Sequence, residues 1–256
     1  MKHRNLHALF FVLPAAALLI SARAENDCVA HYQVVSRGFT VGSAEIVRSH
    51  VLRDGRELVR CEATTKIDIG LLILNVHMNR IEKALIGPDG VLEFNIKQDK
   101  DGRRLEATGV RSNGIFHCVR IDNGVTNRAD IARTNYLATT LDGTELTLDR
   151  QDVTVTNRVF ECARCETFDR TFRWVDDDEI KVGDRKIKCR VVEYADDQKH
   201  GKRWIYRDEF GSALARQDVH DLSGSYSVRL KEIIMRPAAT NVDDNVAPAA
   251  NAPGPR

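Results

Sequence analysis

The residues best suited to chemistry are the two cysteines of Cys162-Ala-Arg-Cys165. A redox CxxC pair requires a helix directly after its first cysteine, because the helix N-terminus lowers the thiol pKa. The segment that follows, Glu166 to Trp174, alternates as a strand does, and no βαβ unit surrounds it. A zinc site needs four ligands, commonly as two close pairs, and Cys189 stands alone. Structural disulfides are therefore favoured over zinc binding and thiol redox chemistry, and we predict no metal and no cofactor.

All six cysteines lie after residue 24 and are disulfide candidates: Cys28, Cys61, Cys118, Cys162, Cys165 and Cys189. An even number of cysteines in an exported chain favours bridges. The spacing does not choose among the possible pairings. Each bridge would add roughly 2–4 kcal/mol of stability.

Other catalytic patterns are not found in the sequence. The histidines after residue 24 form no HxH or HxxxH pair, and no serine has the two glycines of a G-x-S-x-G elbow. No glycine-rich phosphate loop follows a strand and opens a helix. Paired carboxylates meet only in space and cannot be identified from spacing. We therefore predict no catalytic residue, and an enzyme is the less favoured class.

Two groups of aromatic residues share strand parity and are candidates for a ligand site. They are Phe168, Phe172 and Trp174, and then Trp204 and Tyr206. Because β-barrels commonly hold ligands inside, these side chains could line an apolar cavity. The alternative is that they are ordinary core residues.

The elements that must position these residues are strands. Four turn signals recur every 10 to 12 residues: Pro88-Asp89-Gly90, Lys100-Asp101-Gly102, Ser112-Asn113-Gly114 and Asp122-Asn123-Gly124. Asp-Gly and Asn-Gly supply the positive φ angles of tight hairpins. Between two of these turns the alternation predicts one face for Leu92, Phe94 and Ile96 and the other for Glu93, Asn95 and Lys97. This cadence predicts an antiparallel meander.

The remaining segments extend the same pattern from a first strand at Cys28 to a last one at Ile234. Residues 69–86 fit either a strand or a helix, and the neighbouring strands favour strand. One helical turn is expected within 129–137, and the acidic run 176–179 reads as a turn or loop. The fold class is all-β and mostly antiparallel, a single-domain meander that forms an open or half-closed β-barrel with at most one short helix.

The two ends of the chain differ from this domain, which we place at residues 25–236. Residues 1–24 have a positive start, a 12-residue apolar run and a small-x-small cleavage site, as in a secretory signal peptide. Residues 237–256 are rich in Pro, Ala and Asn and read as a disordered tail. We therefore predict a periplasmic or secreted protein without a transmembrane segment in the mature chain.

The charge of the predicted mature chain argues against nucleic-acid binding. Residues 1–24 hold three cations and no anions, so the formal charge falls from +1 to −2 when they are removed. No basic surplus remains to neutralise phosphates.

Several C-terminal segments follow one another as in known exported proteins. They are Glu179-Ile-Lys-Val-Gly183, Cys189-Arg-Val-Val-Glu193, Asp208-Glu-Phe-Gly211 and Gly224-Ser-Tyr-Ser-Val-Arg-Leu230, with Gly38-Phe-Thr-Val-Gly42 near the start. This order resembles secreted bacterial families of unknown function and is distantly similar to LolA/LolB-like lipoprotein carriers. The resemblance implies an open barrel around an apolar cavity in the periplasm. Six cysteines and the lack of an evident plugging helix depart from the carrier pattern.

These observations predict a non-enzymatic binding or carrier protein for an apolar, lipid-like ligand. The alternative is a disulfide-braced interaction module in cell-envelope assembly, whose partner adds to an edge strand or binds the tail. The expected partner is thus an apolar small molecule or an envelope protein.

Overall fold

The structure, a computed structural model, describes residues 26–71, 74–142, 145, 148–221 and 224–237. Its elements include a short 3-10 turn, Arg133–Asn135, and fifteen strands. The strands are β1 (Asn26–Ser36), β2 (Phe39–Arg53), β3 (Arg56–Leu71), β4 (Leu74–Gly87), β5 (Gly90–Lys100), β6 (Arg103–Ser112), β7 (Ile115–Asp122), β8 (Val125–Ala132), β9 (Ala138–Thr139), β10 (Thr154–Glu161), β11 (Glu166–Val182), β12 (Arg185–Ala195), β13 (Lys199–Asp208), β14 (Gly211–Asp221) and β15 (Gly224–Pro237).

The hairpin turns have the backbone conformation that their residues favour. At the β6–β7 turn the φ angles of Asn113 and Gly114 are 51° and 75°. The pairs at 101–102 and 123–124 are also both positive, which is the type I′ pattern that matches the twist of adjacent strands. The fourth predicted turn, at Pro88 and Asp89, is present as well. The predicted meander from β4 to β8 is confirmed.

All the strands belong to one sheet in the order β8-β7-β6-β5-β4-β3-β2-β1-β15-β14-β13-β12-β11-β10-β9. Every pair is antiparallel except β9 with β10, which is parallel. The first strand pairs with the last, over a register from Asn26↔Pro237 to Ser36↔Tyr226. The two halves of the chain are therefore joined through β1 and β15, while β8 and β9 form the ends of the sheet.

The sheet curls so that its two ends approach each other. Phe116 on β7 and Phe160 on β10 have ring centroids 5.3 Å apart, and both side chains are fully buried. Phe94 on β5 also packs against Phe160, at 6.0 Å. Because β7 and β10 lie near opposite ends of the strand order, these contacts make a half-closed barrel. The predicted all-β, mostly antiparallel fold is thus confirmed.

One local prediction of facing is wrong. Val91 on β5, rather than Leu92, is buried with Phe94 and Ile96. A register shift between Leu85 and Ile86 opposite this strand pairs Ile86 with Val91. Such a bulge reverses which side chain faces the core and leaves no clear mark in the alternation.

A second correction concerns the acidic run 176–179, predicted as a turn or loop. It belongs to β11 and pairs with β12, from Asp176↔Val191 to Glu179↔Lys188. The Trp204 indole N–H also donates a hydrogen bond to Asp178 Oδ2 at 2.9 Å. The cross-strand partners therefore outweigh the low strand propensity of aspartate.

The described residues of the ambiguous segment 69–86 are strand, as favoured, but they belong to two strands. β3 ends at Leu71 and β4 begins at Leu74, and these two residues pair with each other. The helical turn expected within 129–137 is the 3-10 turn at Arg133–Asn135. The leader predicted at 1–24 lies outside the described residues, as does the tail predicted at 237–256, except for Pro237, which ends β15.

Nowhere in the part of the chain that the structure covers is there a helix with the length and hydropathy needed to cross a membrane.

Candidate functional site

The predicted cavity-lining aromatics do not meet. Phe172 is buried in a cluster of residues from β10, β11 and β12, with Phe168 and Trp174 packed against it. Trp204 and Tyr206 belong to another cluster, which contains Ala30, Tyr32 and Leu230. The structure therefore places the two predicted groups in separate packed clusters.

The strand register explains this division. Trp174 pairs with Val192, which pairs in turn with Arg203. Directly opposed residues in an antiparallel sheet share a face, so Trp174 and Arg203 lie on one face. Trp204 follows Arg203 and points to the other face. The aromatic residues of each group share a face of their own strand, but the pairing between strands places the two groups on opposite faces of the sheet.

The six cysteines are all free thiols in the structure, so the predicted bridges stay a prediction. The strand register excludes one disulfide, that between Cys28 and Cys61, because the two residues are too far apart. Cys28 on β1 and Cys61 on β3 are both register partners of Arg48 on β2. Two strand spacings separate their Cα atoms by about 10 Å, and a disulfide needs less than about 7 Å.

Three of the other thiols lie in one core cluster. Cys118 is on β7, Cys162 follows β10, and Cys165 ends the turn before β11. The thiols of Cys118 and Cys165 interact closely enough for each to shift the pKa of the other, and Cys165 Sγ donates a hydrogen bond to the Cys162 carbonyl oxygen at 3.8 Å. Burial raises the pKa of the Cys162 thiol well above its ordinary value. Cys189 lies apart, in the cluster around Trp204.

Buried ion pairs join parts of the chain that are far apart in sequence, and the sequence pattern did not indicate them. Arg48 on β2 is bidentate to Asp208 on β13, at 3.0 Å and 2.5 Å, although three strands, β1, β15 and β14, lie between β2 and β13 in the sheet. Burial would lower the pKa of Arg48, but the Asp208 carboxylate outweighs it and raises that pKa. The same guanidinium lies 3.6 Å from Cys28 Sγ.

Two further pairs occupy the second half of the barrel. Arg170 on β11 contacts Asp196 at 2.7 Å, and both side chains are almost completely buried. Arg203 on β13 is paired with Glu145. The two residues of each pair are far apart in the sequence, so no regular spacing of residues could have predicted these ion pairs.

Among the residues that the structure describes, no group of three His, Cys, Asp or Glu side chains could hold a metal ion.

One concavity, the polar groove, runs across β10 to β14 and has a volume of ≈ 560 Å³. A row of alternating charge crosses it, from Arg173 through Glu193 to Lys202. The contacts in this row are 2.5 Å and 2.9 Å long. Beside it, the rings of His200 and His220 stack with centroids 5.2 Å apart. These donors and acceptors suit a polar partner.

A smaller concavity, the apolar groove, lies over β4 to β7 and has a volume of ≈ 390 Å³. It includes Ile81, Leu105 and Ile121, and 37% of Ile81 and of Ile121 is exposed. Charged residues, among them Lys97 and Glu106, rim it and form an ion pair at 3.3 Å. The mixture of an apolar floor and a charged rim is typical of binding surfaces.

The comparisons agree with this architecture. A crystal structure of a β-barrel-like protein of the domain of unknown function DUF1849, from Brucella abortus, superposes with a TM-score of 0.54. The match covers 84% of this chain and 99% of that chain, at 10% identity. The chain has a β-barrel-like fold. At this identity the likeness extends to the fold alone. No family model matches the chain, and no curated protein matches it.

Proposed function

We propose that this chain is an exported, non-enzymatic binding protein that takes a protein partner at the open edge of its sheet, as an interaction module of the cell envelope. The observation that carries the proposal is the position of β8. Within the described ranges, β8 pairs with β7 alone and forms one end of a fifteen-strand sheet. An unpaired edge is a template for an extended segment of another chain.

The edge is fixed and accessible. Val125 is 63% exposed, and the next three residues of β8 are exposed as well. Asp130 is held to His117 of β7 at 2.9 Å, in register with it, so β8 keeps its place in the sheet. A partner strand therefore meets a preformed row of backbone groups, which reduces the ordering cost of binding.

The interior supports a module rather than a carrier. Side chains from several strands pack into the three described core clusters, and Arg48–Asp208, Arg170–Asp196 and Arg203–Glu145 form largely buried ion pairs. Charged pairs of this kind contribute to a defined arrangement and offer little to a lipid chain.

An apolar ligand is the second candidate function, and the apolar groove favours it. Its floor of Ile81, Leu105 and Ile121 could accept an acyl chain on the surface of the barrel. The resemblance to LolA/LolB-like carriers, which stays a prediction, points to the same class of ligand.

Site-specific photo-crosslinking in cells that export the full chain tests the module. A photoreactive amino acid replaces Arg128, which is exposed on β8, and the control replaces Lys188, which is exposed on the interior strand β12. We expect a defined protein adduct from position 128 and none from position 188. Equal crosslinking from both positions, or none from 128, would contradict the proposal.

Native mass spectrometry of the exported protein separates the two candidates. A retained mass of a few hundred daltons that is lost on denaturation would favour the apolar ligand. We expect the bare polypeptide. If a ligand mass is retained, Ile121→Glu should abolish it, and Val110→Glu, at an exposed position outside the apolar groove, should leave it unchanged.

A further inference from the structure

The two ends of the open sheet approach each other at a pair of cysteines. Cys118 lies on β7, one strand from the end formed by β8. Cys165 lies in the turn that joins β10 to β11, next to the end formed by β9. Phe116 lies two residues before Cys118, and Phe160 lies two residues before Cys162. The ring centroids of the two phenylalanines are 5.3 Å apart, so they hold the two ends of the sheet together.

Of the three thiols in this cluster, those of Cys118 and Cys165 interact with each other, and 2% and 8% of these residues is exposed. Cys165 Sγ also donates a hydrogen bond to the Cys162 carbonyl oxygen at 3.8 Å. The Cys162 thiol interacts instead with the hydroxyls of Thr139 and Thr140. The backbone of Cys165 has φ 56°, a left-handed conformation that is uncommon for residues other than glycine. This conformation completes the turn that brings Cys165 to Cys118.

We propose that Cys118 and Cys165 form a disulfide in the exported protein, which ties β7 to the β10–β11 turn and closes the barrel covalently across its open seam. The bond joins segments that no ladder of backbone hydrogen bonds connects, since β7 and β10 belong to opposite ends of the strand order. The two cysteines of the CxxC motif, Cys162 and Cys165, are then not bonded to each other.

The oxidant in this step is a disulfide of the exporting compartment, either a thiol oxidoreductase or a small-molecule disulfide. The Cys165 thiolate attacks one sulfur of the donor, whose S–S bond breaks and releases one thiolate. Cys118 then loses its proton and attacks the sulfur of Cys165, and the second donor thiolate leaves. Two thiols are oxidised, the donor disulfide is reduced to two thiols, and two protons pass to the leaving thiolates.

The electrostatics of the pair agree with this order of attack. The interaction with Cys118 lowers the pKa of the Cys165 thiol, and the nearby Arg120 guanidinium acts in the same direction. The same interaction, together with burial, raises the pKa of Cys118. Cys165 is also the more exposed of the two residues.

Peptide mapping of the full chain tests the pairing, because trypsin cleaves after Arg164 and separates Cys162 from Cys165. The protein is exported, alkylated under denaturing conditions without reductant, and digested. We expect the peptide 112–120, which holds Cys118, linked to the peptide 165–170, which holds Cys165. A link between 159–164 and 165–170, or free alkylated Cys118 and Cys165, would overturn the proposal.

Thermal unfolding of the wild-type protein gives a second test, which does not require any variant to fold. Adding reductant to the oxidised wild type should lower Tm by about 10 °C, because a long loop is released in the unfolded chain. Cys118→Ser with Cys165→Ser should lose this response to reductant, and the control Cys61→Ser should keep it. A wild-type Tm that is insensitive to reductant would count against the bridge.

Discussion

At the residue scale, the buried ion pair of Arg170 and Asp196 is almost fully hydrogen-bonded. The Arg170 Nε and Nη2 atoms both donate to Asp196 Oδ2, at 2.9 Å and 2.7 Å. Asp196 Oδ1 accepts the backbone N–H groups of Gln198 and Lys199, at 3.0 Å and 2.9 Å. The guanidinium also lies over the Tyr194 ring at 5.3 Å. Because nearly every polar atom of the pair has a partner, its removal from water is compensated.

Replacing Asp196 with Asn should therefore be costly. The variant leaves the Arg170 charge buried without its counter-ion, and we expect a loss of about 3–5 kcal/mol in the free energy of unfolding. The matched control is Asp169→Asn, since Asp169 forms the same kind of pair with Arg158 on the surface, with more than half of each side chain exposed. That change should cost less than about 1 kcal/mol. Urea unfolding measures both, and equal losses would contradict the ranking.

The same residue predicts a dependence of stability on pH. Burial alone would raise the pKa of Asp196, but the Gln198 N–H and the Arg170 guanidinium outweigh it and lower that pKa. A lowered folded-state pKa means that the stabilisation is complete above the unfolded value of about 3.9 and is lost as pH falls through the folded value. The difference in unfolding free energy between wild type and Asp196→Asn should therefore shrink on acidification from pH 7 towards pH 2. A difference independent of pH would contradict this.

At the scale of the elements, packing between adjacent strands depends on a glycine in β6. Gly109 pairs with Phe94 of β5, and a Cβ atom there would lie 2.2 Å from Phe94 Cε1. Phe94 is itself held by Phe116 and Phe160 at 5.7 Å and 6.0 Å. The ring therefore cannot move without disturbing the contact that curls the sheet.

Gly109→Ala should accordingly destabilise the protein by about 1–3 kcal/mol through overpacking. The matched control is Val110→Ala, at the next position on the same strand, where the side chain is 52% exposed. We expect it to change the unfolding free energy by less than about 0.5 kcal/mol. Adding Phe94→Leu to Gly109→Ala should cost less than the sum of the single changes, because the clash is relieved. Additive losses in urea titrations would argue against the clash.

At the scale of the whole molecule, one pair of strands unites two halves. β1 pairs with β2 of the first half and with β15 of the second. Ala30 on β1 is completely buried in the cluster that includes Tyr206 and Leu230 from the second half. Loss of either half would expose this shared surface, so unfolding should be cooperative.

The positions of the tryptophans make this testable. The chain has two, Trp174 on β11 and Trp204 on β13, so tryptophan fluorescence reports on the second half alone, and far-UV circular dichroism reports on both halves. The two urea midpoints should coincide in the wild type. In Gly109→Ala the fluorescence midpoint should fall together with the dichroism midpoint, although Gly109 lies in the first half. Separate midpoints would show that the halves unfold independently.

The sequence by itself determined the strands and their hairpins, because alternation and the Asp-Gly and Asn-Gly turns are local properties of the chain. Phe94 and Ile96 could be assigned to the core from parity alone, and the turn at Asn113-Gly114 from its residues. Only the tertiary structure decided the pairing of β1 with β15, the bulge that buries Val91, and the opposite faces of Trp174 and Trp204. It also decided that Cys118 and Cys165 lie in one core cluster. These features depend on register between strands and on the curl of the whole sheet, which act between residues far apart in sequence and leave no periodic signal along the chain.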